Sequence, residues 1–169
     1  SYIALSSSSF CCIFLITRLD SLEYLSDVPT SFERERMKTI DWDSRLILIR
    51  GPKGVGKSTL MLQYILKNYG VSDRHVLYCS ADTGYFTTHT LVDTAAAFVR
   101  QGGTHLFIDE IHKYDGWSKQ IKEIYDLFKH LKVVLSGSSL IQLNDGKADL
   151  SRRQDIYDMP GLSFREYLW

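Results

Sequence analysis

A three-layer α/β sandwich around a parallel sheet is the fold class this sequence predicts. Two observations carry it. Short apolar runs of strand character alternate with helical patterns, the order that builds a doubly wound parallel sheet with right-handed crossovers. One of these runs also leads through a glycine-rich turn directly into a helix. A chain of 169 residues suits one domain, long enough for a five-stranded sheet with flanking helices.

Taken in order, residues 45–50 (RLILIR) read as a buried strand and residues 58–67 as a helix. Residues 74–79 are the second strand. Residues 90–100 form a helix with Leu91, Ala95 and Val99 along one face, and Gln101-Gly102-Gly103 ends it. Leu106 to Ile108 is a short run suited to a strand buried on both faces. Trp117-Ser118 opens another helix, with Ser118 as N-cap. Its Ile121, Ile124, Tyr125 and Phe128 recur at i, i+3, i+4 and i+7, a stripe for the sheet. Residues 132–139 are the fourth strand, apolar at first and ending in small polar residues, followed by a short helix over 140–143. Residues 154–159 are the last. Upstream, residues 21–38 read as short helical pieces broken at Pro29, with a solvated helix start over 31–36. Tyr85 and Phe86 lie in the loop after the second strand and are expected to pack beneath it.

The turn between the first strand and its helix is Gly51-Pro52-Lys53-Gly54-Val55-Gly56-Lys57-Ser58, a complete G-x-x-x-x-G-K-[ST] phosphate loop. Strand, glycine-rich turn and helix is the context that motif needs. The glycines let successive N–H groups point inward at an anion. The helix N-terminus adds unpaired N–H groups and its positive dipole end. Lys57 is expected on the β- and γ-phosphates and the Ser58 hydroxyl on Mg²⁺. Thr59 follows, near the base or the α-phosphate. The predicted cofactors are therefore ATP and Mg²⁺.

A phosphate loop needs a metal-holding acid from a neighbouring strand. Asp109 ends the third strand, where open α/β sheets place their ligands. It is expected to hold Mg²⁺ mostly through water. Glu110 follows at once, and a carboxylate there can orient and deprotonate a water for in-line attack on the γ-phosphate. The pair favours hydrolysis over transfer to a second substrate. At the end of the fourth strand, Ser136 or Ser138 can report the γ-phosphate, unless the serines only cap the next helix. Ser138 enters the predicted site with Ser136 as its alternative. Arg152-Arg153, before the last strand, is either a solvated basic pair or a source of an arginine for a neighbouring subunit's phosphate.

Together these pieces resemble the AAA-type ATPases of the additional-strand, catalytic-glutamate division. The nearest likeness is to the AAA_14 family, ATP-binding proteins commonly followed by a DUF4143 domain. The residues that carry it are 51–59, 106–114 (LFIDEIHKY), Trp117-Ser118, 136–139, 148–153 (ADLSRR) and 160–168 (PGLSFREYL). The resemblance implies a sheet of order 5-1-4-3-2 and the roles given to Lys57, Ser58, Asp109 and Glu110. It raises Arg153, with Arg152 as alternate, to a candidate arginine finger, and it leaves room for a homo-oligomer. It covers roughly residue 39 to the end. Residues 1–38 are thus expected as a separate N-terminal segment and 39–169 as the core. The family usually continues into a winged-helix-like segment and a further domain, both expected to be absent here.

Composition narrows the alternatives. A formal net charge of zero gives no overall footprint for nucleic acid, so a nucleic-acid or protein client is left open but is not indicated by charge. Three cysteines form no disulfide framework and fit a reducing, cytoplasmic setting. The five histidines have no partners at zinc spacing. The apolar run at residues 10–16 is too short to span a bilayer, so no membrane role is expected. A GTPase would need Asn-Lys-x-Asp, which Asn144-Asp145-Gly146-Lys147 is not. A small-molecule kinase fits poorly with Glu110. The leading reading is an ATPase that couples nucleotide state to a conformational or assembly change. The alternative is a nucleotide-dependent binding module with little turnover.

Overall fold

The apolar run Leu-Ile-Leu-Ile can be satisfied only by a strand covered on both sides. In the computed structural model, which describes residues 28–29, 33–70, 73–139, 141, 150 and 152–161, that run forms β1 (Leu46–Gly51). On one side β1 pairs with β4 (Lys132–Ser138), and on the other with β5 (Asp155–Asp158). Next to β4 comes β3 (His105–Asp109), and β2 (Val76–Ser80) forms the edge. All pairings are parallel, and the order β2-β3-β4-β1-β5 is the expected 5-1-4-3-2. The second strand begins at Val76 rather than residue 74, because Arg74 and His75 are spent in the turn before it.

Side chains alternate between two faces along each strand, and each face has its own core. Leu46, Leu48, Leu106, Ile108, Val133 and Leu135 face α2 (Leu91–Arg100) and α3 (Trp117–Leu127), which contribute Ala95, Phe98, Ile121 and Ile124. Ile47, Ile49, Phe107 and Val134 face α1 (Lys57–Asn68) through Leu60, Met61 and Ile65. Burying each such side chain stabilises the fold by about 1.5–3 kcal/mol relative to leaving it exposed. This two-sided cover is what holds the C-terminal strand ends in one row.

Helix boundaries follow local chemistry. Thr90 caps α2 by accepting a 3.1 Å bond from the Asp93 N–H. Gly102 and Gly103 end it, with Gly103 N–H bonded to Phe98 O. The predicted cap of α3 needs correction. Its N-cap is Gly116, in the left-handed region at φ 73°, and Ser118 lies inside the first turn. The chain arrives through a tight turn (Trp117 N–H to Tyr114 O, 3.2 Å), and that entry requires glycine rather than a side-chain cap.

In the stretch read as a solvated helix start, Glu33 and Glu35 are exposed but Arg34 is not. A 3-10 turn runs over Glu35–Lys38. Met37 is buried in the α1-side core and Arg34 is only 7% exposed. Trp42 stacks on Tyr64 of α1 with ring centroids 3.8 Å apart. The apolar run at 10–16, the helical pieces before Val28, most of the helix expected over 140–143, Ser151 and everything after Gly161 lie outside the described residues. Among the described residues no helix is long and apolar enough to cross a membrane.

Candidate functional site: a phosphate loop facing two acids

β1 ends at Gly51 and the chain turns through the glycine-rich loop into α1. Gly54 (φ 81°) and Gly56 (φ 89°) take left-handed backbone that side chains rarely adopt. Gly51 is glycine for another reason. The chain leaving β5 crosses over it, with the Met159 N–H on Arg50 O at 2.7 Å, and a Cβ on Gly51 would sit 2.4 Å from Met159 O. Pro52, Lys53 and Gly54 are exposed at the loop's crest, with Val55 half-buried behind them. Lys57 opens α1, is 5% exposed, and donates from Nζ to Gly51 O (2.9 Å) and Pro52 O (2.8 Å). Its ammonium is thus held inside the loop's curve. Ser58 and Thr59 occupy the first turn of α1.

Asp109 ends β3 and is 5% exposed. One carboxylate oxygen accepts from the Tyr78 hydroxyl of β2 at 2.7 Å. The other accepts from the Ser136 hydroxyl of β4 and, at 3.0 Å, from the Glu110 N–H. The carboxylate is thereby fixed by three strand ends. Cys79, beside it in β2, has its thiol pushed up to about 12 by burial and by the Asp109 charge, so it stays an inert protonated thiol.

Glu110 is the one non-glycine residue with positive φ among the described residues (φ 53°, ψ 40°). Its N–H is bonded to Asp109 Oδ1 and, at 3.1 Å, to Ser136 Oγ, and its carbonyl accepts from Lys113 N–H at 2.9 Å. The left-handed turn takes the chain out of β3 at once. Glu110 Oε2 lies 3.2 Å from Nε2 of His112. The other ring nitrogen, Nδ1, accepts from the Ser138 N–H at 3.2 Å.

The two serine alternatives occupy different positions. Ser136 is wholly buried with its hydroxyl on Asp109. Ser138 is the last residue of β4 and pairs with Gly51 of the loop. The structure therefore brings the loop, Lys57, Ser58, Asp109, Glu110 and Ser138 to one end of the sheet. Asp109 and Gly51 stand two strands apart and two residues out of register, about 12 Å by ordinary strand geometry. Arg153 is not brought there. It precedes β5, at the opposite end of the sheet, with its guanidinium on Asp126 and over the Tyr125 ring (5.7 Å). Arg152 is exposed in the same turn.

Oxygen donors from Ser58 and Asp109 are the hard ligands Mg²⁺ takes when substrate phosphates complete its shell. Among the described residues no group of three or more His, Cys, Asp or Glu side chains is placed to hold a metal by itself. Beside the loop lies a cavity of about 340 Å³, lined by Arg34, Gly54, Val55, Gly56, Thr59 and Gln63 among others. Arg34 is a residue that sequence reasoning missed. Its guanidinium donates to Val55 O (2.9 Å) and Pro160 O (2.8 Å), tying the N-terminal segment to the loop and to the chain after β5. Tyr78 and His112 were also missed as partners of the acids. His112 carried one faint signal, its place in the Asp-Glu-Ile-His run.

A glycine-rich loop between a strand and a helix, with an acid ending the strand two positions away, defines a P-loop nucleoside-triphosphatase domain. The AAA_14 family (AAA domain) matches residues 43–168, and the chain belongs to that family. Membership gives it a nucleotide-binding, ATPase-type function. No curated protein matches the chain. Among solved structures, that of C. elegans PCH-2 is similar at a TM-score of 0.50 and 17% identity, over 94% of this chain and 45% of that one. The chain thus spans less than half of that protein's length, and the likeness is one of fold.

Proposed function

We propose that this domain binds Mg²⁺-complexed ATP and hydrolyses it to ADP and phosphate, using the energy to shift a conformation or an assembly. The observation that carries the reading is the placement of Lys57 and the loop beside the Asp109–Glu110 pair, with β4 between them. Loop N–H groups and the α1 N-terminus hold the phosphates. Lys57 exchanges the Gly51 and Pro52 carbonyls for β- and γ-phosphate oxygens. Ser58 and Asp109 would hold Mg²⁺, which when bound would supply positive charge against the phosphates. Glu110 accepts a proton from water as the water oxygen attacks the γ-phosphorus, and ADP leaves in line. Ser138 faces the γ-phosphate from the end of β4, and Thr59 and the cavity beside Arg34 take the nucleoside.

Arg153 points away from its own loop, which supports a contact in trans, with a second copy of the chain completing the site. Such an arginine can be worth about 10³–10⁵ in rate. A reducing cytoplasmic setting fits the free, buried Cys79.

Steady-state phosphate release from the wild type and Glu110→Gln tests the reading. The variant should keep ATP affinity and lose about 10²-fold or more in turnover. Equal, negligible rates in both proteins with tight ATP binding would instead favour a nucleotide-dependent switch.

A further inference from the structure

Glu110 is held by its backbone but not, through its own chain, at its carboxylate. Both backbone polar groups are bonded, and the left-handed turn fixes where the side chain begins. The side chain then has three rotatable bonds and is 32% exposed. A carboxylate left to itself there would sample several rotamers, most of them unable to reach a water aimed at a phosphate. Among the described residues, one group touches it, the imidazole of His112 at 3.2 Å.

His112 is itself fixed. Its Nδ1 accepts the Ser138 N–H, so the proton of the neutral ring sits on Nε2 and is donated to Glu110. The backbone N–H leaves Nδ1 no freedom to carry a proton without breaking that bond. Ser138 is opposite Gly51, and Gly51 O accepts from both Ser139 N–H (3.1 Å) and Lys57 Nζ (2.9 Å). A short run of hydrogen bonds therefore joins the phosphate lysine, the end of β4, the imidazole and the carboxylate.

We propose that His112 is a positioning residue: it aims the Glu110 carboxylate and registers it to the end of β4. The inference rests on Glu110 being the water-activating group. His112 touches neither phosphate nor metal in this scheme. It acts by holding one oxygen of Glu110, which leaves the other to take the proton.

Turnover of His112→Ala, His112→Gln, Glu110→Gln and the His112→Ala/Glu110→Gln double variant tests this. His112→Ala should lower kcat by about ten- to a hundredfold, the scale of a misplaced catalytic group. Its KM for ATP should stay within about twofold, because ground-state binding is untouched. His112→Gln, which retains an N–H donor, should recover part of the loss. The double variant should be no slower than Glu110→Gln alone. Histidine nitrogen NMR gives a readout that needs no turnover: His112 should be the Nε2-protonated tautomer. Unchanged kcat in His112→Ala while Glu110→Gln is inactive would overturn the inference and leave the ATPase reading intact. An Nδ1-protonated ring would overturn it equally. Wild-type turnover in Glu110→Gln would instead remove Glu110 as the base, and the inference with it.

Discussion

Glu110 adopts a backbone conformation that costs a residue with a Cβ about 1–2 kcal/mol. The cost is tolerated because its N–H and carbonyl are both hydrogen-bonded. Such strain should be measurable without any assay of activity. Glu110→Gly relieves it and Glu110→Ala does not, so the glycine variant should be the more stable of the two by about 1 kcal/mol in denaturant unfolding. An alanine variant as stable as the glycine one would mean the turn is relaxed. Lys57, Asp109 and Glu110 were legible in the sequence because their chemistry is tied to fixed spacings and to a strand end. Arg34 and Tyr78 were not. Arg34 reaches Pro160 across 126 residues of chain, and Tyr78 reaches Asp109 across 31. No periodicity or local motif encodes contacts made by folding alone.

Among the elements, β5 matters most to the loop although it is the shortest strand. Its exit lies over Gly51, and the missing Cβ is what lets the two chains meet. Gly51→Ala sets a methyl 2.4 Å from a backbone carbonyl that cannot swing aside. It should cost about 1–3 kcal/mol, as overpacking usually does. Gly54→Ala, with open space around it and only its positive φ to lose, should cost about 1 kcal/mol. Denaturant midpoints compare the two, and a larger loss at Gly54 would contradict the role given to β5. The elements themselves were largely readable, since strands buried on both faces are short apolar runs and the α3 stripe keeps helical spacing. Their edges were less so. Ser118 has the residue type of a cap, yet the entry of the chain into α3 demanded the left-handed Gly116 two residues earlier. Likewise Arg34 sits in a charged stretch that reads as solvated, but its guanidinium finds carbonyl partners.

For the whole molecule, the parallel order β2-β3-β4-β1-β5 does the functional work. It inserts β4 between the loop strand and the acid strand, so a residue at the end of β4 faces whatever the two flanking strands hold together. It also places Arg153 before β5, at the end of the sheet opposite the loop. The order came from family likeness; the alternation of elements implied a doubly wound sheet but not which strand lies in the middle. The central claim is that the loop, Lys57 and the paired acids form one pocket for a magnesium-complexed nucleotide. Titration calorimetry with ATP and Mg²⁺ on the folded wild type and on Lys57→Ala tests it most directly. The wild type should give saturable heat, and Lys57→Ala should lose it while still unfolding in one cooperative transition. No heat from the folded wild type with ATP, or undiminished affinity in the variant, would contradict the account.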